Sequence, residues 1–324
     1  MDKNNSVLFG MDNAKKLAQK VSDYIKIPLS EIEKTVYADG EVMIKASETV
    51  RDKDVFIVAS TSRPVNDNLV ELLLFIDSLK RASAKSITVC LSYYGYARQD
   101  RKVSGRQPIG AKLVADLLQQ AGATKMICID LHNPSIQGFF NIPVDDLRGQ
   151  YPLALALKEI KEHFTVVSPD HGGAVRARKL AELISDSIQI CIIDKRRTAA
   201  NQTEVMGLIG DINQQNAVIV DDIIDTGGTI IKAAHKLKEN GAEKVILVAS
   251  HGIFTKGFEI FESDPIIEKV IITDSIDNYE LASKFKKLQI VSLGDFLGKV
   301  ILANLNKTSI TEVYKQIKEK ISEL

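Results

Sequence analysis

The stretch Val218-Ile219-Val220-Asp221-Asp222-Ile223-Ile224-Asp225-Thr226-Gly227-Gly228, followed by Thr229, decides the reading of this chain. A β-branched apolar run, suited to a buried strand, stops at two carboxylates. A third carboxylate follows, then a Thr-Gly-Gly-Thr turn that opens a helix. Backbone N–H groups of such a turn and of the first helical turn are unpaired within the helix and can face a phosphate. Glycine lets that backbone come close with no Cβ in the way. Acids at a strand end suit the hydroxyls of a sugar or a Mg²⁺ ion, and Asp221 with Asp222 can accept from two adjacent ribose hydroxyls. The two features side by side predict a site for a sugar that carries a phosphate.

Outward from this stretch, short apolar runs alternate with helix-period segments. Strands are predicted over 55–59, 87–91, 126–130, 166–168, 188–193, 217–220, 245–249 and 270–273. One helix, capped by Asn66 or Asp67, buries Leu69, Leu72, Leu73, Ile76 and Leu79. A second, with Pro108 in its first turn, buries Leu113, Leu117 and Leu118 before Gly122 ends it. A third opens at Thr229, turns Ile230, Ala233, Ala234 and Leu237 inward, and stops at Gly241. Continuous apolar strands alternating with helices predict a parallel sheet covered on both faces, with ligand sites beyond the strand C-termini. The run 121–132 resembles 240–251, and 81–85 leading into 87–91 echoes both, so the chain reads as two copies of one plan divided near 146–151. Where the first copy would carry the acidic Thr-Gly-Gly motif stands Val58-Ala59-Ser60-Thr61-Ser62-Arg63-Pro64 instead.

The composition bounds the function. With 324 residues, 45% apolar and 26% charged, the chain has room for about two globular domains. Lys+Arg and Asp+Glu number 42 each, so no global field favours nucleic acid or an anionic membrane, and any basic site is local. Cys90, Cys128 and Cys191 lie singly in apolar runs and read as buried small hydrophobes in a reduced compartment. No signal-peptide pattern opens the sequence and no apolar run approaches a membrane span, which predicts a cytoplasmic protein.

Four further segments carry chemistry-bearing residues. Asp194-Lys195-Arg196-Arg197 follows the strand predicted at 188–193 and precedes the polar run 198–204. These cations are expected on a loop that closes over a polyphosphate, or form a solvated basic turn. Asp130 and His132 stand at i and i+2, so on a strand they share a face and one ligand; a structural His is the alternative. Ser168-Pro169-Asp170-His171-Gly172-Gly173 repeats the strand-end acid and Gly-Gly turn, with Arg176 and Arg178 opening its helix. Tyr93, Tyr94 and Tyr96 beside Arg98, Arg101 and Lys102 suit a base and its phosphates, and equally single-stranded nucleic acid. The turn Tyr37-Ala38-Asp39-Gly40-Glu41 reads as a hairpin turn on its own.

Taken together, these segments closely resemble the ribose-phosphate pyrophosphokinase (PRPP synthetase) family, in its Mg²⁺-dependent, phosphate-activated class. The resemblance runs from Phe9-Gly10 to about Ser309. It rests on Asp39-Gly40-Glu41, Asn66-Asp67-Asn68, Tyr94-Gly95-Tyr96-Ala97-Arg98-Gln99-Asp100-Arg101, Asp130-Leu131-His132, Gln137-Gly138-Phe139-Phe140, Ser168-Pro169-Asp170, Lys195-Arg196-Arg197, the 221–229 run and Ser250-His251-Gly252-Ile253-Phe254, in order. It implies an α/β fold of two tandem phosphoribosyltransferase-like domains, each a parallel sheet flanked by helices on both faces. Residues 1–148 form the N-terminal domain with ATP-side elements and oligomer contacts. Residues 149–304 form the C-terminal domain with the ribose-5-phosphate loop, and 305–324 a helical tail.

The resemblance further implies transfer of the diphosphoryl group of ATP to the 1-hydroxyl of ribose 5-phosphate, giving PRPP and AMP. Asp225, Thr226, Gly227, Gly228 and Thr229 would cradle the 5-phosphate, with Asp221, Asp222 and Arg197 also on the ribose 5-phosphate. His132 and Asp170 would take part in binding Mg²⁺, the imidazole as an exception among oxygen donors or through water. Lys195 and Arg197 would stabilise charge on the phosphoryl groups, with no covalent enzyme intermediate. Tyr37, Asp39, Gly40, Glu41, Arg98 and Gln99 would bind ATP. In the family the Tyr37 turn reaches a neighbour's site, which implies a homo-oligomer, a hexamer built from dimers.

The chain departs from the family pattern at several positions. Ala199 stands where a further basic residue is usual, four positions after the catalytic lysine. Losing one transition-state donor costs about 3 kcal/mol, or about 10²–10³ in rate, so a slower or compensated enzyme is expected. Gly110 replaces a common Thr. Lys45 and Ala46 differ from the usual residues near the family's allosteric site, and the tail after Ser309 has Val313-Tyr314 where Leu/Met-Phe is common, so the family's responses to ADP and phosphate do not carry over by resemblance. Two alternatives remain open: a catalytically weak or regulatory paralogue, and a phosphoribosyltransferase that consumes PRPP.

Overall fold

The computed structural model describes residues 5–160, 162–199, 202–212 and 216–324, with the backbone alone for 195–199 and 202–206. The chain divides into two compact units. The first comprises Met1–Arg148, Ser275–Asp277 and Leu293–Val313; the second comprises Gly149–Asp274, Asn278–Ser292 and Tyr314–Leu324.

In the first unit the elements run β1 (Ser6–Gly10), α1 (Lys15–Ile25), β2 (Leu29–Ser30), β3 (Ile32–Val36), β4 (Val42–Ala46), β5 (Asp54–Ala59), α2 (Val65–Arg81), β6 (Ser86–Leu91), α3 (Gly110–Ala121), β7 (Lys125–Ile129) and β8 (Val144–Leu147). A parallel sheet has the order β2-β1-β5-β6-β7-β8, and β3 pairs with β4 as an antiparallel hairpin. The β5 run is buried at every position, which explains its continuous apolar sequence. Val55, Ile57 and Ala59 join a core with Leu72, Phe75, Ile76 and Leu79 of α2 and Val114, Ala115 and Leu118 of α3. Phe56 and Val58 are buried on the opposite side, where α1 packs on β1 and β5.

The second unit runs α4 (Gln150–Lys158), β9 (Phe164–Ser168), α5 (Ala174–Ile184), β10 (Ile190–Ala199), β11 (Gln202–Ile209), β12 (Asn216–Ile224), α6 (Gly228–Glu239), β13 (Lys244–Gly252), α7 (Glu259–Glu262), β14 (Ile267–Thr273), α8 (Tyr279–Lys284) and β15 (Leu288–Val291). Its sheet has the order β11-β10-β9-β12-β13-β14-β15, parallel except for the β10–β11 pair. One face is covered by α6 through Ile230, Ala233, Ala234 and Leu237, and the other by α4 and α5. The α/β class with helices on both faces of parallel sheets is therefore as read from the sequence.

The two sheets share one plan: β1-β5-β6-β7-β8 answers β9-β12-β13-β14-β15. That matching pairs β6 with β13, so the 81–91 echo marks equivalent strands. The longer likeness of 121–132 to 240–251 is displaced by one strand. It records only that Gly122 at φ +132° and Gly241 at φ +103° each end a helix just before a strand.

Several local expectations are corrected. α2 begins after Pro64 with no side-chain cap, so Asn66 and Asp67 lie in its first turn; Leu73 is only partly buried and Phe75 takes the core position. In α3 the inward face is Ala111, Val114, Ala115 and Leu118, while Leu113 and Leu117 are exposed. Pro108 precedes that helix instead of opening it. The C-terminal limit at 304 cuts a helix, since α9 (Gly294–Asn306) continues past it. α9 packs with the first unit, against α1, instead of closing the second domain. A final helix, α10 (Ile310–Glu323), buries Val313, Ile317 and Ile321. The three cysteines are buried and free, as expected.

β8 carries two acids in a short strand. Lys125 Nζ meets Asp145 Oδ2 at 2.7 Å, and Arg148 Nη1 meets Asp146 Oδ2 at 3.2 Å. The Leu131 N–H donates to Asp146 Oδ1 at 3.0 Å. Burial nevertheless pushes the Asp146 carboxyl up to about 6 from an ordinary 3.8. Between those values the folded chain holds a proton that the unfolded chain has lost, so stability falls as pH rises through the window. Asp146→Asn keeps an acceptor for Leu131 and removes the charge. It is expected to raise stability by about 1–3 kcal/mol above pH ~6, shrinking toward zero below pH ~4, when Tm is followed against pH.

Candidate active site

The strand order of the second sheet reverses between the parallel neighbours β9 and β12, the place where α/β folds bind ligands beyond the strand ends. β9 ends at Ser168 and leads into Asp170; β12 carries Asp221 and Asp222 near its end. Gly173 N–H donates to Asp170 Oδ1 at 3.0 Å, closing the turn that starts α5. Asp170 and His171 are exposed, and His171 Nε2 lies 2.9 Å from Asp194 Oδ1. Arg176 of α5 turns its guanidinium onto the β12 acids, with Nη1 at 3.0 Å from Asp221 Oδ1 and Nη2 at 3.4 Å from Asp222 Oδ1. The Asp222 N–H also donates to Asp221 Oδ1, at 2.9 Å. Burial and the Asp222 charge push the Asp221 carboxyl up, against the pull of Arg176.

β12 passes through Asp225 and Thr226 into α6, with Gly227 as N-cap at φ +80°. A Cβ on Gly227 would fall 2.5 Å from Phe261 Cζ and 2.7 Å from Ile260 Cδ1, so glycine is demanded by both backbone and space. Thr226, Gly228 and Thr229 are exposed at the head of the twelve-residue helix. Asp225 accepts a hydrogen bond from the Thr255 hydroxyl. The arrangement offers a helix N-terminus for a phosphate, with two acids of the same strand close before it.

The equivalent turn of the first unit is packed instead. Ser60, Thr61 and Ser62 are buried after β5. Thr61 Oγ1 accepts from Gly95 N–H at 2.7 Å, and Asn68 Nδ2 donates to the Ser62 carbonyl at 2.8 Å.

Other predicted residues of the first unit sit on loops. The turn from Tyr37 to Glu41 closes the β3–β4 hairpin: Tyr37 N–H donates to the Glu41 carbonyl at 2.8 Å, and Glu41 N–H to Asp39 Oδ1 at 3.1 Å. Tyr37 is exposed, and Gly40 takes φ +92°. A cavity of about 540 Å³ lies beside it, lined by Gly40, Glu41, Val42, Asn66, Val70 and Leu74 among others. The Tyr96 hydroxyl bonds Asn66 on that lining, which ties the loop after β6 to the hairpin side. Arg98 and Gln99 are exposed on this loop. Gly110 leaves room for Gln99: a Cβ there would stand 2.7 Å from Gln99 Oε1.

Three readings of these loops are corrected. Tyr93 and Tyr94 are core residues, with the Tyr94 hydroxyl donating to the Ala111 carbonyl at 2.9 Å, so they are no platform for a base. β7 stops at Ile129, and Asp130 turns to φ +39°, so strand alternation does not place Asp130 and His132 on one face. Asp130 is buried while His132 is exposed. The Lys195-Arg196-Arg197 segment is strand: β10 runs to Ala199 and pairs antiparallel with β11, Lys195 opposite Val205 and Arg197 opposite Thr203. The side chains of Lys195, Arg197 and Ala199 lie outside the described residues.

Comparison with known proteins bears on this geometry. Residues 6–122 match the model of the N-terminal domain of ribose phosphate pyrophosphokinase, and residues 154–275 that of the phosphoribosyl transferase domain. The ribose-phosphate pyrophosphokinase of Mycoplasmopsis pulmonis (strain UAB CTIP) is 61% identical over 319 residues, covering 98% of this chain and 99% of that protein. The chain belongs to the ribose-phosphate pyrophosphokinase family. The enzyme of that name from Mycoplasma pneumoniae is 43% identical over 97% of both chains. The crystal structure of phosphoribosylpyrophosphate synthetase from Mycobacterium smegmatis matches with a TM-score of 0.82 at 36% identity, over 94% of this chain and 99% of that one.

Within this pyrophosphokinase fold, the 221–229 segment holds the sequence-predicted acids and glycines together. Arg176 was legible only as a helix-opening residue. Its one signal is its place in the helix after the Ser168–Gly173 turn, where α5 meets the switch point. Among the described residues no three His, Cys, Asp or Glu side chains converge to hold a metal, so a resident cage is absent there.

Proposed function

We propose that this chain transfers the diphosphoryl group of ATP to the 1-hydroxyl of ribose 5-phosphate, giving PRPP and AMP. The observation that carries the reading is the β12-to-α6 segment: two strand-end acids and an exposed helix N-terminus, in a chain of this family. The 1-oxygen attacks the β-phosphorus and forms a new O–P bond. The bond from the β-phosphorus to the bridging oxygen of the α-phosphate breaks, and AMP leaves with that oxygen. The hydroxyl proton passes to solvent.

Asp221 and Asp222 accept from the ribose hydroxyls. The amides and hydroxyls from Asp225 to Thr229 take the 5-phosphate. Tyr37, Asp39, Gly40, Glu41, Arg98 and Gln99 take ATP. Lys195 and Arg197 offset charge on the transferring group, and positioning with electrostatics supplies the rate.

Mg²⁺ fits as an ion that arrives with the ATP phosphates, because it keeps several waters and needs only one or two protein oxygens. Asp170 offers an exposed carboxylate for it, and His132 an exposed imidazole acting through water. Such an ion neutralises phosphate charge. The balanced charge of the chain fits small anionic substrates over nucleic acid. No helix among the described residues is long and apolar enough to cross a membrane. Cytoplasmic placement and a dimer-built hexamer belong to the same reading.

Ala199 favours one second reading, a slow or regulatory paralogue. Ribose 5-phosphate-dependent AMP release by the homogeneous protein that is lost in Lys195→Ala supports the first, and activity unchanged by Lys195→Ala supports the second.

A further inference from the structure

We propose that Arg176 is a positioning residue for ribose 5-phosphate, holding Asp221 and Asp222 together as one charge-compensated acceptor pair. The inference rests on the reading of those two acids as the ribose site. Consecutive residues of a strand start their side chains on opposite faces. Yet one guanidinium reaches Oδ1 of both, at 3.0 Å and 3.4 Å, which draws the pair to one point at the end of β12. A guanidinium presents fixed donors that meet both carboxylates from one planar group, whereas an ammonium is a point charge on a flexible stem.

The backbone that carries the fork is held. Gln150, buried at the start of α4, donates from Nε2 to the Arg176 carbonyl at 2.8 Å. The cation therefore rides on a packed helix instead of a loop. Asp222 is 5% exposed, and two like charges side by side in such a place favour sharing a proton, which removes an acceptor. Arg176 opposes that loss and fixes the rotation of each carboxylate. Among the described residues its guanidinium meets these two acids and no residue read as ATP-binding, so its effect is expected on one substrate.

The test compares Arg176→Lys, Arg176→Gln and Asp222→Asn by steady-state kinetics in the full-length protein, with calorimetric binding of ribose 5-phosphate alone. Arg176→Gln is expected to raise KM for ribose 5-phosphate about 100-fold and Arg176→Lys about 10-fold, with calorimetric affinity falling in parallel. KM for ATP is expected to stay near that of the unmodified chain. A purely structural role would move both KM values together, and that result overturns the proposal. An unchanged KM for ribose 5-phosphate in both Arg176 variants, while Asp222→Asn raises it, overturns the role of Arg176 and leaves the ribose reading standing. An unchanged KM in all three overturns both. If Arg176→Gln does not fold, the Arg176→Lys value decides alone.

Discussion

Lys195→Ala is expected to lower kcat for AMP formation by about 10²–10³-fold, with kcat/KM falling by the same factor for either substrate. Diphosphoryl transfer involves little covalent work by the protein, so the rate comes from placing and neutralising the transferring group. A cation that meets charge only as it develops contributes to the transition state and not to ground-state binding, which is why both ratios drop together. In this chain the expectation is sharper than usual. Ala199, four residues on, supplies no second charge, so fewer donors share the load. Lys195 belongs to β10, paired with β11 through Val205, and a strand position holds a backbone more firmly than an open loop. Initial-rate assays of the purified variant against the unmodified chain check this. A rise in KM with kcat unchanged would move Lys195 from the reacting group to simple binding.

Asp222→Asn is expected to raise KM for ribose 5-phosphate by about 10–100-fold, with a smaller change in kcat. The substitution removes a charged acceptor from a nearly buried position and leaves half of the Arg176 fork without its carboxylate partner. Hydrogen bonds to charged groups are the stronger class, so losing one toward a sugar hydroxyl costs about 1.5–3 kcal/mol. Asp221→Asn is the milder companion, because Asp221 is the more exposed of the pair and its carboxyl is already pushed toward the neutral form. Substrate saturation curves for the two variants, ordered Asp222 above Asp221, are the expected result. Equal KM values for both variants and the unmodified chain remove the acids from the sugar site.

What the sequence showed of this molecule follows the length scale of each signal. Continuous β-branched runs such as those in β5 and β12 mark strands buried on both faces, and they announced the parallel sheets without ambiguity. The Asp221–Thr229 site was legible because strand end, turn and helix start are contiguous in the chain. β8 escaped notice because Asp145 and Asp146 interrupt an apolar pattern; they are tolerated there by Lys125 and Arg148, contacts visible only in three dimensions. Tyr93 and Tyr94 looked like ligand-stacking aromatics, because a loop rich in cations hides the fact that its first residues still pack on the core. The outward turn of Leu113 and Leu117 exchanged the expected face of α3 for one of smaller residues, which joins the core shared with α2. Arg176 carries no local motif at all. Its meaning comes from the crossing of α5 over the end of β12, a contact between residues 45 positions apart in the chain.

One assay bears most directly on the proposed reaction: AMP release from ATP by the homogeneous protein, followed while ribose 5-phosphate, ATP and Mg²⁺ are omitted in turn. The expected result is AMP and PRPP in equal amounts, formed only when all three are present. AMP release that ignores ribose 5-phosphate, or none with the complete mixture, contradicts the assignment of the Asp221–Thr229 site to the acceptor sugar.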